Sequence, residues 1–563
     1  MSRPKELRGK AFDWNEFRRL GPLARGQWRP LLLALFLIPL STLAQIAQPL
    51  VVKMAIDQGI IERQEDVLLQ AGLLFFGLLV FEILFRSCHL YLIQAAGARI
   101  LRDLRSRMFS HTLRLSPGFF GRTPRGRLVS RLTSDVEAMS EIFGSGLVSI
   151  LGDLFLIAAT ILTMITLSPS LAGITLILLP PLGISVSWIR IRLQIAFRKI
   201  RTLIARKTAF TAEAIAGMDI IQTYAQETRM AGEFEEVNQE ERDAELAGVR
   251  HDSILSALVE LSGSLSLALI LWWGGLGVIQ DTLTFGTVVA FIEYATRLYT
   301  PLKDLSAKYS IMQSATAASE KVFGLLEEKD RIEEPSSPTP IYPTSKGLVE
   351  IRDLHFAYRP GEPVLRDMNL TVNSGERIGL IGPTGCGKST LLRLLVRFHD
   401  IDRGQVHLDG LDLRDYSLGE LRKRIRLVSQ EVVLFRGTLE DNIRIFDSQK
   451  DPERLRWAAE TTGLQAVADR LPDGYQTQLG EGGSGLSFGE RQLIAFTRAL
   501  LDDPKVLLLD EATSAIDPRT ESLLQQALSG LLEGRTAIVV AHRKATLNRV
   551  DRIVRMEASS PSS

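Results

Sequence analysis

Long apolar runs occupy the chain only before about residue 310, and short β-type runs dominate only after about residue 348. A helix needs roughly 20 apolar residues at about 1.5 Å rise each to cross a bilayer. Six stretches predict such spans: 31–52, 67–94, 143–167, 171–189, 254–279 and 287–305. The fourth and sixth are short or hold prolines (Pro180, Pro181, Pro301). The links at 57–66, 168–170 and 280–286 are brief, whereas 95–142 and 190–253 are long, helix-forming and basic. Arg99, Arg102, Arg105, Arg107, Arg114, Arg122, Arg125, Arg127 and Arg131 all fall in the first long link, against Arg63 alone in the brief ones. Positive charge marks the cytoplasmic side of a span, so both long links and the N-terminus are expected there, the links as helical extensions of their spans. Phe12, Trp14, Phe17 and Trp28 among Arg18, Arg19 and Arg25 predict a helix lying on the inner membrane surface.

The pattern changes at 328–346, where Pro335, Pro338, Pro340 and Pro343 stand among Ser, Thr and acidic residues with no apolar period, as in a linker. Beyond it, the runs 349–358, 377–381, 506–509 and 536–540 alternate with helical stretches. That alternation predicts an α/β domain with a largely parallel sheet. The expected organisation is an N-terminal interfacial segment (1–30), a six-span domain (31–327), a linker (328–346) and an α/β domain (347–563).

Composition sharpens this picture in three places. A chain of 563 residues that is 45% hydrophobic and 23% charged is neither disordered nor collagen-like, and it must segregate its apolar and charged positions. A net charge of +1 gives no electrostatic reason to expect a nucleic-acid partner. Cys88 and Cys386 cannot build a disulfide framework, and the polar start Met1–Lys5 does not read as a cleavable signal.

The α/β half carries the candidate chemistry. Gly382, Pro383, Thr384, Gly385, Cys386, Gly387, Lys388, Ser389 and Thr390 form a complete P-loop, placed after the strand 377–381 and before a helix. Its glycines let backbone N–H groups turn toward phosphate oxygens, and the helix adds its positive end. Lys388 is expected on the β- and γ-phosphates and Ser389 on Mg²⁺. Downstream, the apolar run 506–509 ends in Asp510 and Glu511. Asp510 is expected to hold the Mg²⁺ shell and Glu511 to polarise an attacking water.

With these motifs the chain resembles an ATP-binding cassette exporter of the half-transporter type, over nearly its whole length. The resemblance implies six spans fused to one nucleotide-binding domain, with ATP and Mg²⁺ as cofactors. Within it, Tyr358 matches the aromatic residue that stacks on adenine. Gln430 matches the glutamine that senses Mg²⁺ and water, and His542 the histidine on the γ-phosphate. The segments 480–483 and 514–517 resemble loops that contact other domains, while 116–120 and 223–230 resemble the segments that dock onto nucleotide domains.

One motif departs from the family. The signature Leu-Ser-Gly-Gly-Gln is here Leu486, Ser487, Phe488, Gly489, Glu490. Ser487, Gly489 and the N–H groups of the following helix can still receive a γ-phosphate. Phe488, however, adds bulk where glycine permits close approach. Glu490 would repel the phosphate by on the order of 3 kcal/mol at roughly 6 Å and an effective dielectric of about 20, before screening, a repulsion it mostly escapes if its side chain turns to solvent. Because the family's signature acts on ATP held by the other subunit, this asymmetry favours a heterodimer with a second half-transporter over a homodimer.

The implied activity is ATP-driven export of amphipathic drug-like molecules or lipids across the plasma membrane by alternating access. A lipid or lipopeptide flippase working as a homodimer is an alternative, as is a poorly hydrolysing, ATP-gated regulatory subunit. Glu82, Arg86, Asp153 and Glu293 fall in or near spans. They either line a cavity for polar or cationic amphiphiles or neutralise one another, Glu82 with Arg86 and Glu293 with Arg297, each pair one helical turn apart.

Overall fold

The computed structural model describes residues 19, 21–22, 25–141, 147–335, 337, 346–359, 361–447, 449, 451–510, 518–541 and 547–557. The surface helix expected around residues 11–28 lies mostly outside these, as does Phe143. The chain forms two compact units. One holds residues 1–113 and 125–328; the other holds 329–563 together with the excursion 114–124.

In the first unit, helices α1 (Trp28–Met54), α2 (Glu65–Thr112), α3 (Leu147–Leu167), α4 (Leu179–Ala216), α5 (Glu227–Ile279) and α6 (Phe285–Leu326) carry most of the chain. Five stretches among the described residues are long and apolar enough to cross a membrane: Arg25–Ile61, Glu65–Thr112, Ser149–Leu167, Pro169–Ala216 and Glu227–Ile279. The sixth expected span, 287–305, falls on α6, which is not among the five. Glu293 and Arg297 dilute its apolar character, yet Ala290, Phe291, Tyr294 and Leu298 on this helix are fully buried. The Tyr294 hydroxyl donates to the Ile46 carbonyl of α1 at 2.7 Å. A helix packed at the centre of a bundle meets protein rather than lipid, so it tolerates polar positions that a lipid-facing helix does not.

On other helices many large apolar side chains are exposed. Leu69, Leu73, Phe76 and Leu84 of α2 are all more than 60% exposed, a surface that water would penalise heavily. Helix α5, at 53 residues, is roughly 80 Å long at about 1.5 Å per residue. That is far more than the roughly 30 Å of a hydrocarbon core, so much of it continues beyond the apolar zone as the long basic link.

Among the described residues the second unit contains three sheets. Strands β1 (Val349–Ala357), β2 (Pro363–Val372), β4 (Arg403–Leu408) and β5 (Leu411–Asp412) form an antiparallel sheet in the order β2-β1-β4-β5. Strands β3 (Arg377–Ile381), β6 (Ile425–Val428), β9 (Val506–Asp510), β10 (Thr536–Val540) and β11 (Arg552–Arg555) form a parallel one in the order β11-β3-β10-β9-β6. A small ribbon pairs β7 (Gly437–Thr438) with β8 (Gln478–Leu479). The strand expected at 349–358 therefore lies outside the parallel sheet. Only a short connection separates β1 from β2, and parallel neighbours need a crossover of a dozen or more residues, so these two pair as a hairpin. By contrast β9 and β10 are buried along almost their whole length. This is why they read as unbroken apolar runs instead of alternating ones.

Candidate functional site

The parallel sheet gathers the candidate residues at one edge. Val540 is in register with Leu380 of β3 and with Asp510 of β9, and Val428 with Leu509. The segments following β3, β6, β9 and β10 therefore leave the sheet at the same carboxyl end, where open α/β sheets bind ligands. The P-loop, Gln430 and Asp510 are brought together in this way. Glu511, His542 and 514–517 lie outside the described residues; in the chain Glu511 follows Asp510 and His542 follows Ala541.

Between β3 and the helix α7 (Lys388–Leu395), the loop closes on itself. Gly385 and Gly387 adopt φ of 87° and 98°, a left-handed conformation open to glycine without strain. A side chain at Gly387 would also meet Leu365 at 2.6 Å. Lys388 is 7% exposed, and its ammonium donates to the carbonyls of Gly382 at 2.8 Å and Pro383 at 3.0 Å. The Ser389 hydroxyl donates to Asp510 Oδ1 at 2.8 Å. A buried ammonium, a glycine turn running into a helix N-terminus and two hard oxygen donors are the groups that a triphosphate and Mg²⁺ require, so the residues present fit both. Tyr358 is exposed and donates to Thr390 at 3.3 Å, which tethers the aromatic ring to the P-loop helix. Cys386 is buried against the loop.

Gln430 is exposed, with its carbonyl held at 3.2 Å by the amide of Gln492, a fully buried residue of helix α8 (Phe488–Leu501). Arg498 of the same helix donates to the carbonyls of Asn442 at 2.5 Å and Val433 at 2.7 Å. Burial pushes its guanidinium down to about 10. Neither Gln492 nor Arg498 was marked by the sequence motifs, because their partners are some sixty residues away.

At the start of α8 the departing signature is ordered. Ser487 is the N-cap; its oxygen accepts from the Glu490 N–H at 3.3 Å, and Glu490 Oε2 accepts from the Ser487 N–H at 2.8 Å. This reciprocal capping box forms equally well with Glu or Gln at the fourth position. Glu490 Oε1 accepts from Arg470 at 2.7 Å. The Glu490 carboxylate is thus folded back and paired rather than turned to solvent. Phe488 sits at the first turn, 36% exposed.

The excursion 114–124 packs within the nucleotide unit. Ser116 donates through its N–H to the Asp330 carbonyl at 2.8 Å and through its hydroxyl to Asp330 Oδ1 at 2.6 Å. Arg122 pairs with the same carboxylate. His399 packs against Gly118, where a Cβ would come within 2.6 Å of the ring. The same imidazole meets the Tyr358 ring edge-on at 5.2 Å between centroids. Burial holds His399 below its ordinary range, with Asp330 acting in the opposite sense. The other expected docking segment, 223–230, belongs to the first unit; beside and within it Ile220 and Tyr224 are exposed.

In the helical unit, a cavity of about 930 Å³ is lined by Glu82, Arg86, Asp153, Arg297 and Lys308 among others. Asp153 pairs with Lys308, and Arg297 with Glu293 at 3.7 Å, so neutralisation holds for these groups. The expected Glu82–Arg86 pair does not form among the described residues. Glu82 instead accepts from the Gln48 amide at 2.6 Å, and the oxygen of that amide accepts from Arg297 at 3.0 Å. The Gln48 amide thus links Glu82 to Arg297 across helices.

Residues 31–302 match the family model for the ABC transporter transmembrane region, and 365–514 that for the ABC transporter. The chain belongs to the ABC transporter family. Its transmembrane domain is fused to its nucleotide-binding domain, and it is a multi-pass membrane protein and a transport ATPase of the exporter type. It is 31% identical to the uncharacterised ABC transporter ATP-binding protein YknV of Bacillus subtilis (strain 168), over 98% of this chain and 91% of that one. Identity is 33% to an ATP-dependent lipid A-core flippase of Desulfotalea psychrophila, over 93% and 91% of the two chains. It is 34% to the probable multidrug resistance ABC transporter ATP-binding/permease protein YheH of Bacillus subtilis, over 85% and 72%.

Proposed function

We propose that this transporter exports amphipathic molecules, drug-like compounds or lipids, across the plasma membrane by alternating access, with its N-terminus and nucleotide-binding domain in the cytoplasm. The observation that carries the engine is the buried Lys388 beside the Ser389–Asp510 pair at the sheet's carboxyl edge. Bound MgATP supplies the cleavable phosphoryl bond. Backbone N–H groups of residues 384–390 and the Lys388 ammonium would hold the phosphates, while Tyr358 would stack on the base. Ser389, Asp510 and Gln430 would hold the metal, which would supply charge neutralisation at the phosphates. Glu511 takes a proton from the attacking water, and His542 steadies the γ-phosphate oxygens.

In this reading the nucleotide is closed between two half-transporters, with Ser487, Gly489 and the first turn of α8 covering the ATP of the other subunit. Phe488 adds bulk where the family signature has glycine, and it is the departure that favours an unlike partner. Movement passes through 114–124, which belongs by packing to the nucleotide unit and by chain connection to the helical one. The cavity beside Glu82 and Arg297 takes the amphiphile, its charges mostly paired so that an apolar tail and a polar head are both tolerated.

The name of the lipid A-core relative favours a second reading, a lipid flippase acting as a homodimer. Reconstitution separates the two: export of cationic dyes without movement of labelled lipid supports the first, and the reverse supports the second. For the engine, Glu511→Gln should retain ATP and lose turnover. Hydrolysis at the normal rate in that variant would refute the assignment.

A further inference from the structure

Glu490 raises a specific electrostatic problem. In the proposed mechanism the first turn of α8 receives the γ-phosphate of the opposing subunit, and a carboxylate stands in that turn where the family carries an uncharged amide. Both of its oxygens are engaged, one by the Ser487 N–H at 2.8 Å and the other by Arg470 at 2.7 Å. Arg470 is itself aimed, because its Nε donates to the Ala466 carbonyl at 3.2 Å, leaving the terminal nitrogen to meet Glu490. The Ser487 oxygen accepts from the Glu490 N–H, so the hydroxyl proton remains free to donate to an incoming phosphate oxygen. The capping box thus prepares the serine, and the arginine opposes the charge of the residue that closes the box.

We propose that Arg470 is a positioning residue of the signature motif: by holding and neutralising Glu490 it lets the first turn of α8, with Ser487, accept the γ-phosphate of ATP despite the acidic substitution. This rests on the reading that α8 covers nucleotide in the assembled transporter. Arg470 itself is 67% exposed and its partner 21%. Its removal should therefore leave the fold intact, and the loss should appear only where a polyanion approaches. Repulsion between the freed carboxylate and a triphosphate is screened by salt, which separates it from a packing defect.

The test uses the full chain in its assembled form, with any subunit that co-purifies, reconstituted in lipid. Arg470→Ala should raise the ATP concentration for half-maximal hydrolysis about tenfold at low salt, with the gap narrowing as ionic strength rises. Glu490→Gln in the same chain should return that concentration to the wild-type value, because the amide keeps the capping box and removes the charge. An Arg470→Ala protein indistinguishable from wild type would overturn the proposal, as would a defect that persists in the double variant. Both of those outcomes leave the transporter reading in place while the wild type hydrolyses ATP. A wild type that binds no ATP would take both down.

Discussion

Replacing Gly118 by alanine would put a methyl carbon 2.6 Å from His399 Cε1, well inside the shortest ordinary contact of 3.4 Å. The ring has little room to retreat, being packed against Phe356 at 5.5 Å and Tyr358 at 5.2 Å between centroids. Overpacking of this kind costs about 1–3 kcal/mol. That is enough to raise the undocked fraction of 114–124 by roughly 5–150-fold. The hydrogen bonds from Ser116 to Asp330 oppose the loss but do not relieve the collision. Hydrogen–deuterium exchange on the intact transporter reads the effect directly as faster exchange in 114–124. Substrate stimulation of ATP hydrolysis should fall in parallel, while nucleotide binding at Lys388 stays near normal. Adding His399→Ala removes the obstacle and should restore slow exchange. Unchanged exchange in Gly118→Ala, or no recovery in the double variant, would refute the reasoning.

Three further outcomes are expected. Lys388→Ala should lower ATP affinity and abolish hydrolysis without changing the melting temperature of the nucleotide-free protein by more than a few degrees, as calorimetry and an ATPase assay would show. Arg498→Ala removes hydrogen bonds to Asn442 and Val433, leaves the carbonyl of the fully buried Asn442 without this donor and should destabilise the nucleotide domain by about 1–3 kcal/mol in denaturant titrations. Burial lowers His399 from its ordinary 6.5, so the unfolded chain takes up that proton first as pH falls. Stability from this group is then complete above about 6.5 and declines below it, and His399→Gln should flatten that part of the melting-temperature profile.

The local elements were legible from residue order. The P-loop lies between β3 and α7 because a tight turn, inward amides and a helix start are all written in nine consecutive residues. Strands β9 and β10 were legible because burial on both faces leaves no polar position to interrupt the run. Long-range partners were not legible. Arg470 reaches Glu490 across twenty residues, Gln48 reaches Glu82 across thirty-four, and Gly118 meets His399 from a different part of the chain. No periodicity encodes such meetings. At Glu490 the charge was visible in the sequence and its partner Arg470 was not. Helix α6 was expected as a span at 287–305 and is not among the five apolar stretches of the described residues, since a helix shielded by its neighbours need not be as apolar as a lipid-facing one.

The central claim is that ATP splitting in the C-terminal unit drives transport through the helical one. Proteoliposomes holding the purified, assembled transporter test it most directly, by following a labelled amphiphile across the bilayer with and without ATP. The account predicts movement that requires ATP and is lost in both Lys388→Ala and Glu511→Gln. Equal movement without nucleotide, or undiminished movement in both variants, would contradict it.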